Sequence, residues 1–209
     1  MSELGELTDA IERGDRSAAS ELTRRAIELQ TDSRAVLDAL VAGMARVGER
    51  FRKQQAFVPE VMIAARAMNA AMAEVEPRLV EAGIRPDRTV VIGTVDGDLH
   101  DIGKNLVAML WRGANFEVID LGVDVAPHRF AEAVEAHGAR AVGLSTLLTT
   151  TMPAMAEAVK VIRAAAGSDV KILVGGAPVT PDWADRIGAD AYAPDAATAV
   201  DVVRELIAV

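Results

Sequence analysis

From residue 89 onward, short apolar runs alternate five times with helical stretches, and this alternation constrains the fold more than any other feature. The apolar runs, rich in β-branched residues, are 89–95, 116–122, 140–146, 170–176 and 190–194. The helical stretches between and after them are 101–114, 127–138, 153–166, 180–187 and 195–208. Parallel strands need crossover helices. The pattern therefore predicts an α/β domain, flavodoxin-like (Rossmann-like), with a five-stranded parallel sheet in the order 2-1-3-4-5.

The first 85 residues show only helical periodicity. The clearest segment is 33–53, where six apolar residues fall on one helical face: Leu37, Leu40, Val41, Met44, Val47 and Phe51. Asp15 or Ser17 is a candidate helix cap, and Pro59 suits the first turn of a helix. We expect an N-terminal four-helix bundle over residues 1–85, a linker at 83–88 and the α/β domain over residues 89–209.

Composition narrows the function classes. The formal net charge of -9 argues against a nucleic-acid partner, which would require a basic face. The chain has no cysteine, so disulfides, zinc-thiolate sites and thiol nucleophiles are excluded. The N-terminal residues have no apolar core of a signal peptide, and no run of about 18 apolar residues occurs. These features predict a cytoplasmic protein without a membrane partner.

A polar cluster follows the first predicted strand, where ligands bind in sheets of this kind. Asp98 and His100 are two residues apart, so the carboxylate can accept a hydrogen bond from one imidazole nitrogen and leave the other free for a metal. A histidine at such a position also serves as a helix cap or surface residue. A catalytic zinc site is disfavoured because it usually needs three protein ligands, and the glycines match no phosphate-binding loop.

Three short motifs in register give this cluster a family resemblance. Asp98-Leu99-His100-Asp101-Ile102-Gly103 matches the DxHxxG pattern of cobalamin-binding domains. Residues 104–144 separate it from Ser145-Thr146-Leu147, which matches SxL, and residues 148–174 separate that from Gly175-Gly176, which matches GG. All three motifs fall at predicted strand ends. From about residue 5 to 206, the chain resembles corrinoid proteins of the methyltransferase type, which combine a methionine-synthase-like helical cap with a B12-binding domain.

The resemblance implies a cobalamin cofactor (methylcobalamin or another corrinoid) in the base-off/His-on state. His100 would be the lower axial ligand to cobalt, in a catalytic relay of Asp98, His100 and Thr151. Ser145 would hydrogen-bond the inserted dimethylbenzimidazole, and Gly175 and Gly176 would leave room for the nucleotide. Further residues expected to line the site are Gly97, Asp101, Ile102, Gly103, Leu147, Thr149, Ala177, Tyr192 and Asp195.

The bundle resembles the helical cap that covers the upper face of the corrin in this family. The segment Phe57-Val58-Pro59-Glu60-Val61-Met62 and the residues after it carry that resemblance. Phe57, Val61, Ala64 and Met68 are the candidate cofactor contacts. At helical spacing the same residues also fit the core of the bundle, and both interpretations stand at this point.

The resemblance implies a methyl carrier that accepts a methyl group on cobalt from one methyltransferase and presents it to another. Its partners would be a substrate-specific methyltransferase, a second methyltransferase and a reductive activase. The chain would then be the corrinoid subunit of a multi-component system, without catalysis of its own. Those partners would determine which methyl donor and which methyl acceptor are used.

Four other interpretations remain. A B12-based light sensor or regulator has a similar pair of domains, but its bundle carries a tryptophan and a Glu-His pair, whereas here Trp111 and Trp183 lie in the α/β half and no histidine precedes His100. The small subunit of an adenosylcobalamin mutase resembles only the α/β half. A cobalamin storage or delivery protein, and an α/β domain without a cofactor, are the remaining two.

Overall fold

The computed structural model describes residues 3–207, which form two compact units. One unit extends to Pro86 and includes Gly113–Asn115; the other comprises Asp87–Arg112 and the chain from Phe116 onward. The fold class expected from the sequence, a helical region followed by a five-stranded parallel sheet with helices, is confirmed. None of the described helices is long and apolar enough to cross a membrane.

The first unit contains four helices among its described residues. They are α1 (Glu3–Arg13), α2 (Arg16–Glu28), α3 (Ser33–Arg52) and α4 (Val58–Glu81). Asp15 caps α2 by accepting a hydrogen bond from the Ala18 amide at 3.0 Å, as one of the two alternatives predicted. Pro59 lies in the first turn of α4, where its missing N–H costs nothing.

The predicted apolar face of α3 is the face that packs. Leu37, Leu40, Met44 and Val47 are buried, and only the two remaining members of that face, Val41 and Phe51, are half-buried. Helical spacing thus brings a continuous apolar stripe into the interior of the bundle, and burial of such side chains contributes roughly 1.5–3 kcal/mol each.

The second unit is a parallel sheet with the strand order β2-β1-β3-β4-β5. The strands are β1 (Thr89–Thr94), β2 (Glu117–Asp120), β3 (Ala141–Ser145), β4 (Lys171–Gly175) and β5 (Ala191–Ala193). The helices are α5 (Ile102–Gly113), α6 (Pro127–His137), α7 (Met152–Ala166), α8 (Pro181–Ile187) and α9 (Ala196–Leu206), and a 3-10 turn covers Thr149–Thr151. The predicted strand order is confirmed.

The sheet is covered on both faces by apolar side chains. On one face, Phe130 of α6 and Met155 and Ile162 of α7 are fully buried in the main core cluster. On the other, Trp111 of α5 is fully buried, and its indole N–H donates to the Ala199 carbonyl of α9 at 3.1 Å. A sheet buried on both sides explains why its strands consist of continuous apolar runs.

The register aligns the ends of the three central strands. Thr94 pairs with Ser145, and Ser145 pairs with Gly175, so β1, β3 and β4 end side by side. The loops that follow these strands carry the three motifs recognised in the sequence. Parallel pairing therefore gathers residues from positions 95–103, 145–151 and 175–177 at one edge of the sheet.

Candidate functional site

The loop after β1 turns a carboxylate inward and an imidazole outward. Gly97 adopts a left-handed conformation with φ of 78°, and the Asp98 amide donates back to the Val95 carbonyl at 3.1 Å, which closes a tight turn. The Asp98 side chain is fully buried, whereas that of His100 is half exposed. Nδ1 of His100 lies 2.7 Å from Oδ1 of Asp98, so the pairing predicted from their spacing is present.

The other carboxylate oxygen of Asp98 is held by the loop after β3. Oδ2 accepts from the Leu147 amide at 2.7 Å, from the Thr146 hydroxyl at 2.9 Å and from the Thr151 hydroxyl at 3.0 Å. The structure thus brings together Asp98, His100 and Thr151, the three residues predicted as a relay. It adds Thr146, whose hydroxyl also lies 2.6 Å from that of Thr151.

These hydrogen bonds determine the charge of the buried carboxyl group. Burial by itself raises the pKa of Asp98, because it disfavours the charged form. The Leu147 amide, the His100 amide and imidazole, and the Thr146 hydroxyl act in the opposite direction and together outweigh burial. The pKa of Asp98 therefore lies well below its usual range, and the group is a carboxylate at neutral pH.

A carboxylate at this position fixes the tautomer of the neutral imidazole. An ionised Asp98 only accepts hydrogen bonds, so the proton between the two groups is on Nδ1 of His100. Nε2 then carries the free lone pair, and no described residue hydrogen-bonds to it. This is the arrangement of a metal-ligating histidine whose second nitrogen is oriented by a carboxylate.

The site offers one strong protein ligand for a metal, not a set of ligands that surrounds a metal ion. Among residues 3–207 no group of three or more histidine, aspartate or glutamate side chains is placed to hold a metal ion. Structural and catalytic zinc sites need three or four protein ligands, so the zinc alternative finds no support in the described part of the chain. A single imidazole suits a metal that brings its other ligands with it, as in a macrocycle.

Large apolar side chains surround His100 without being buried. Leu99 is 71% exposed, Ile102 74% and Leu147 46%. An exposed apolar patch beside a single polar donor is typical of a binding site for a flat, largely apolar ligand. Gly103, in the first turn of α5, has nothing within 4 Å of the position that a Cβ would occupy. These features fit a bulky macrocycle approaching the His100 loop.

The C-terminal ends of β3 and β4 contribute a hydroxyl group. Ser145 is the last residue of β3 and is half-buried, and its side chain makes no hydrogen bond to any described residue. It lies beside Gly175 in the sheet. A Cβ at Gly175 would come within 3.0 Å of the Ala193 carbonyl oxygen. The Ser145 hydroxyl therefore lies beside a glycine at the end of the neighbouring strand, and its predicted role toward a nucleotide tail stays a prediction.

Gly176 has a different reason to be glycine from the one expected. Its φ is 129°, and a Cβ there would lie 1.8 Å from the carbonyl oxygen of Thr146. The position that a side chain of residue 176 would occupy is therefore filled by the backbone of Thr146. Gly176 lets the loop after β4 pack against the loop that holds Asp98.

The other predicted residues of the α/β unit are spread around this edge. Gly97 closes the His100 loop, and Thr149 and Ala177 are exposed. Asp101 is also exposed and accepts a hydrogen bond from Asn105 at 2.9 Å.

Two further predicted residues have identified structural tasks. Asp195 caps α9 by accepting from the Thr198 amide at 2.8 Å. Tyr192 packs half-buried against the apolar core of this unit. Both residues therefore have a structural role whether or not they also contact a ligand.

The predicted cap residues of the helical unit differ in accessibility. Phe57 precedes α4 and is 64% exposed, and its backbone N–H donates to the Glu60 carboxylate at 2.7 Å. Val61, Ala64 and Met68 are buried. Of the four candidates, only Phe57 presents its side chain to solvent.

Two residues that hydrogen-bond the Asp98–His100 loop were not found from the sequence. Thr146 is the unspecified middle residue of the SxL motif, although side chains alternate along a strand and its hydroxyl therefore had to point away from that of Ser145. Asp124 accepts a hydrogen bond from the Gly97 amide at 2.7 Å. Its signal is weak, because an aspartate two residues after Gly122 also fits an ordinary turn.

Comparisons with known proteins agree with this geometry. A family model described as a B12 binding domain matches residues 88–203, and a second model of the same description matches residues 4–76. A corrinoid protein of Desulfitobacterium hafniense is 37% identical over 212 residues, which cover 99% of this chain and 98% of that relative. Dimethylamine corrinoid protein 2 of Methanosarcina mazei is 38% identical over 204 residues, which cover 97% of this chain and 95% of that relative.

A solved structure shows the same similarity. A chain of the methanol:cobalamin methyltransferase complex from Methanosarcina barkeri matches with a TM-score of 0.87 and 30% identity. The match covers 99% of this chain and 80% of that chain. Both halves of the sequence thus have counterparts among cobalamin proteins.

Proposed function

We propose that this chain, which belongs to the family of B12-binding corrinoid proteins, uses its bound corrinoid to carry methyl groups between methyltransferases. When bound, the corrinoid supplies a cobalt atom that accepts and releases a methyl group. The observation that carries the proposal is the half-exposed imidazole of His100, whose Nδ1 is hydrogen-bonded to the buried carboxylate of Asp98.

His100 is proposed as the lower axial ligand, through Nε2. Asp98 holds the imidazole in the tautomer that leaves this nitrogen free, and it holds the ring orientation at the same time. Thr146 and Thr151 hold the carboxylate in turn. The role of these three residues is to keep a neutral imidazole aimed at one position, so that ligation requires no rearrangement of the loop.

The other proposed contacts to the corrinoid are assigned to side chains that are exposed or have a free hydrogen-bonding group. Leu99, Ile102 and Leu147 are proposed to pack against the lower face of the macrocycle, with Gly103 allowing close approach. The unpartnered Ser145 hydroxyl is proposed to hydrogen-bond the displaced nucleotide base, which exchanges a water contact for a protein contact.

Phe57 is our candidate for a cofactor contact from the helical unit. It is the exposed member of the predicted set, and its backbone is fixed by the hydrogen bond to Glu60. An aromatic side chain held at the start of a helix loses little entropy when it packs on a flat ligand. The domain division at residues 85 and 89 and the cap role of the bundle remain part of this proposal.

Methyltransferases are the proposed partners. Relatives are named for dimethylamine, and a solved neighbour comes from a methanol:cobalamin methyltransferase complex. We propose a substrate-specific methyltransferase as donor partner, a second methyltransferase as acceptor partner and a reductive activase for repair, all in the cytoplasm. The acidic net charge of -9 suggests that basic patches on these partners guide association.

The test is an absorption spectrum after incubation with methylcobalamin and desalting. We expect a retained corrin spectrum of the base-off/His-on shape, and its conversion to a His-off shape in His100→Ala. His128→Ala removes an exposed imidazole on α6 and is the matched control, with an unchanged spectrum expected. No retained corrin in the wild type would refute the proposal. Retention without methyl exchange to any methyltransferase would indicate storage or delivery instead.

A further inference from the structure

Asp124, which lies between β2 and α6, contacts the His100 loop at two points. Its carboxylate oxygen Oδ1 accepts from the Gly97 amide at 2.7 Å, and its own amide donates to the Asp98 carbonyl at 3.0 Å. Gly97 and Asp98 are consecutive. Asp124 thus holds the Gly97 N–H and the Asp98 carbonyl, the two backbone groups that flank the peptide connecting these residues.

The backbone of Asp124 is itself specialised. Its φ is 54°, in the left-handed region that non-glycine residues seldom adopt and in which aspartate and asparagine are enriched. The neighbouring backbone fixes this conformation from both sides. The Thr94 amide donates to Gly122 at 3.0 Å, and the Val125 amide donates to Thr94 at 3.0 Å. Asp124 is therefore anchored to β1, the strand from which the His100 loop emerges.

The peptide between Gly97 and Asp98 determines where the Asp98 carboxylate points. That carboxylate must reach the His100 imidazole with one oxygen and the Leu147 amide with the other. A rotation of the peptide would move both oxygens, because the side chain begins one bond away from it. Holding the groups on both sides of this peptide restricts its rotation, and this restricts the orientation of the imidazole through the carboxylate.

We infer that Asp124 is a positioning residue for the axial histidine. It acts through its hydrogen bonds to Gly97 and Asp98, and it makes no hydrogen bond to the imidazole in the described structure. This inference rests on the proposed role of His100 and adds a specific requirement. Residue 124 must combine a left-handed backbone with a side-chain hydrogen-bond acceptor.

Three substitutions separate these two requirements. Asp124→Asn keeps an acceptor oxygen and tolerates the left-handed backbone, Asp124→Gly keeps only the backbone freedom, and Asp124→Ala loses both. Thr180→Ala is the matched control. It removes a cap of α8 in the same unit, where the Thr180 hydroxyl accepts from the Trp183 amide at 3.2 Å, and it leaves the His100 loop untouched.

The first measurement uses the protein without cofactor. Amide hydrogen exchange at Gly97 is expected to accelerate about fivefold in Asp124→Gly and more in Asp124→Ala, the effect of losing one ordinary hydrogen bond. Asp124→Asn is expected to remain within about twofold of the wild type, and Thr180→Ala to leave this amide unchanged. Wild-type exchange at Gly97 in Asp124→Gly would overturn the inference whether or not the chain binds cobalamin.

The second measurement uses protein loaded with cob(II)alamin. Its electron paramagnetic resonance spectrum distinguishes His-on from His-off cobalt by the splitting from one axial nitrogen. The ratio of His-on to His-off is expected to fall about fivefold in Asp124→Gly and to be restored by Asp124→Asn. A ratio that changes equally in Thr180→Ala would reduce Asp124 to a general stabilising residue. Failure of the wild type to bind cobalamin would instead refute the proposed function and leave the exchange result standing.

Discussion

Nδ1 of His100 lies 2.7 Å from Oδ1 of Asp98, and the first side chain is half exposed whereas the second is fully buried. The pair therefore connects a buried group at the C-terminal ends of the strands to a group at the protein surface. The negative charge of Asp98 is buried away from water, and the basic nitrogen of His100 faces outward. Four testable consequences follow from the way in which the rest of the site supports this pair.

Asp98→Asn is expected to lower the stability of the fold and to weaken ligand binding. One carboxylate oxygen accepts from the His100 amide and the other from the Leu147 amide, so the NH2 group of asparagine places a donor opposite one of these two donors. A buried donor facing donors costs about 2–3 kcal/mol, so we expect a loss of that size in the free energy of unfolding. Denaturant unfolding without cofactor measures it. A loss below about 0.5 kcal/mol would contradict the hydrogen bonding described here.

The same carboxylate predicts how stability depends on pH. Because the pKa of Asp98 is lower in the folded chain than the usual value near 4, the unfolded chain binds a proton more readily. The stability that Asp98 contributes is therefore complete above about pH 5 and is lost as the pH falls below about 4.

The difference in unfolding free energy between the wild type and Asp98→Asn tests this expectation. It should be constant from about pH 7 to 5 and shrink from about pH 4 to 3. A difference that stays constant throughout would show that the folded and unfolded pKa values coincide.

Thr146 and Thr151 are expected to substitute for each other. Both hydroxyl groups lie within hydrogen-bonding distance of the same oxygen of Asp98, and both are also within 3.4 Å of the Leu148 carbonyl. Since the Leu147 amide occupies one acceptor position of that oxygen, a single hydroxyl suffices for the other. The second hydroxyl can then donate to Leu148.

Thr146→Val and Thr151→Val alone are each expected to cost about 1 kcal/mol or less, and the double variant more than the sum by about 1 kcal/mol. A double-mutant cycle in denaturant unfolding checks this coupling. The serine variants at both positions retain the hydroxyl groups and serve as controls. Strict additivity of the two valine variants would show that each threonine has its own independent partner.

Gly176 and Gly103 are expected to respond in opposite ways to alanine. At Gly176 a Cβ would lie 1.8 Å from the Thr146 carbonyl oxygen, so Gly176→Ala must displace the loop after β3 that hydrogen-bonds Asp98, at about 3 kcal/mol or more. At Gly103 the space is open and the residue lies in a helix, so Gly103→Ala is expected to be neutral or stabilising by up to about 1 kcal/mol.

Thermal unfolding without cofactor measures both effects. Cobalamin retention after desalting then separates the roles of the two glycines. We expect Gly103→Ala to retain less corrin than the wild type although its fold is intact. Full retention in this variant would show that Gly103 is not a close-approach position.

Much of this architecture could be predicted from the sequence because its signals are periodic. Continuous β-branched runs marked the strands, and the helical face around Leu40 and Met44 marked the core of α3. The three motifs were expected to lie together because parallel strands end at a common edge, and the register of β1, β3 and β4 brings them together. Local spacing also sufficed for Asp98 and His100, which are two residues apart.

Other parts of the site could not be predicted, because they depend on contacts that no local pattern encodes. The role of Thr146 depends on the approach of two loops from different strands, as does the close contact between Gly176 and Thr146. Asp124 depends on a left-handed residue opposite Gly97. For Val61 and Met68, helical spacing fits both a bundle core and a ligand surface, and only burial distinguishes the two.

The sequence separations within the site bear on the order of events during protein synthesis. Asp98 is held by groups that follow it by 48 to 53 residues along the chain. At translation rates of about 5–20 residues per second, these groups emerge roughly 2 to 10 s after the histidine they help to orient. A ribosome-bound chain therefore displays His100 before the loop after β3 can hold Asp98, and the carboxylate acquires its full set of hydrogen bonds only once the third strand has joined the first.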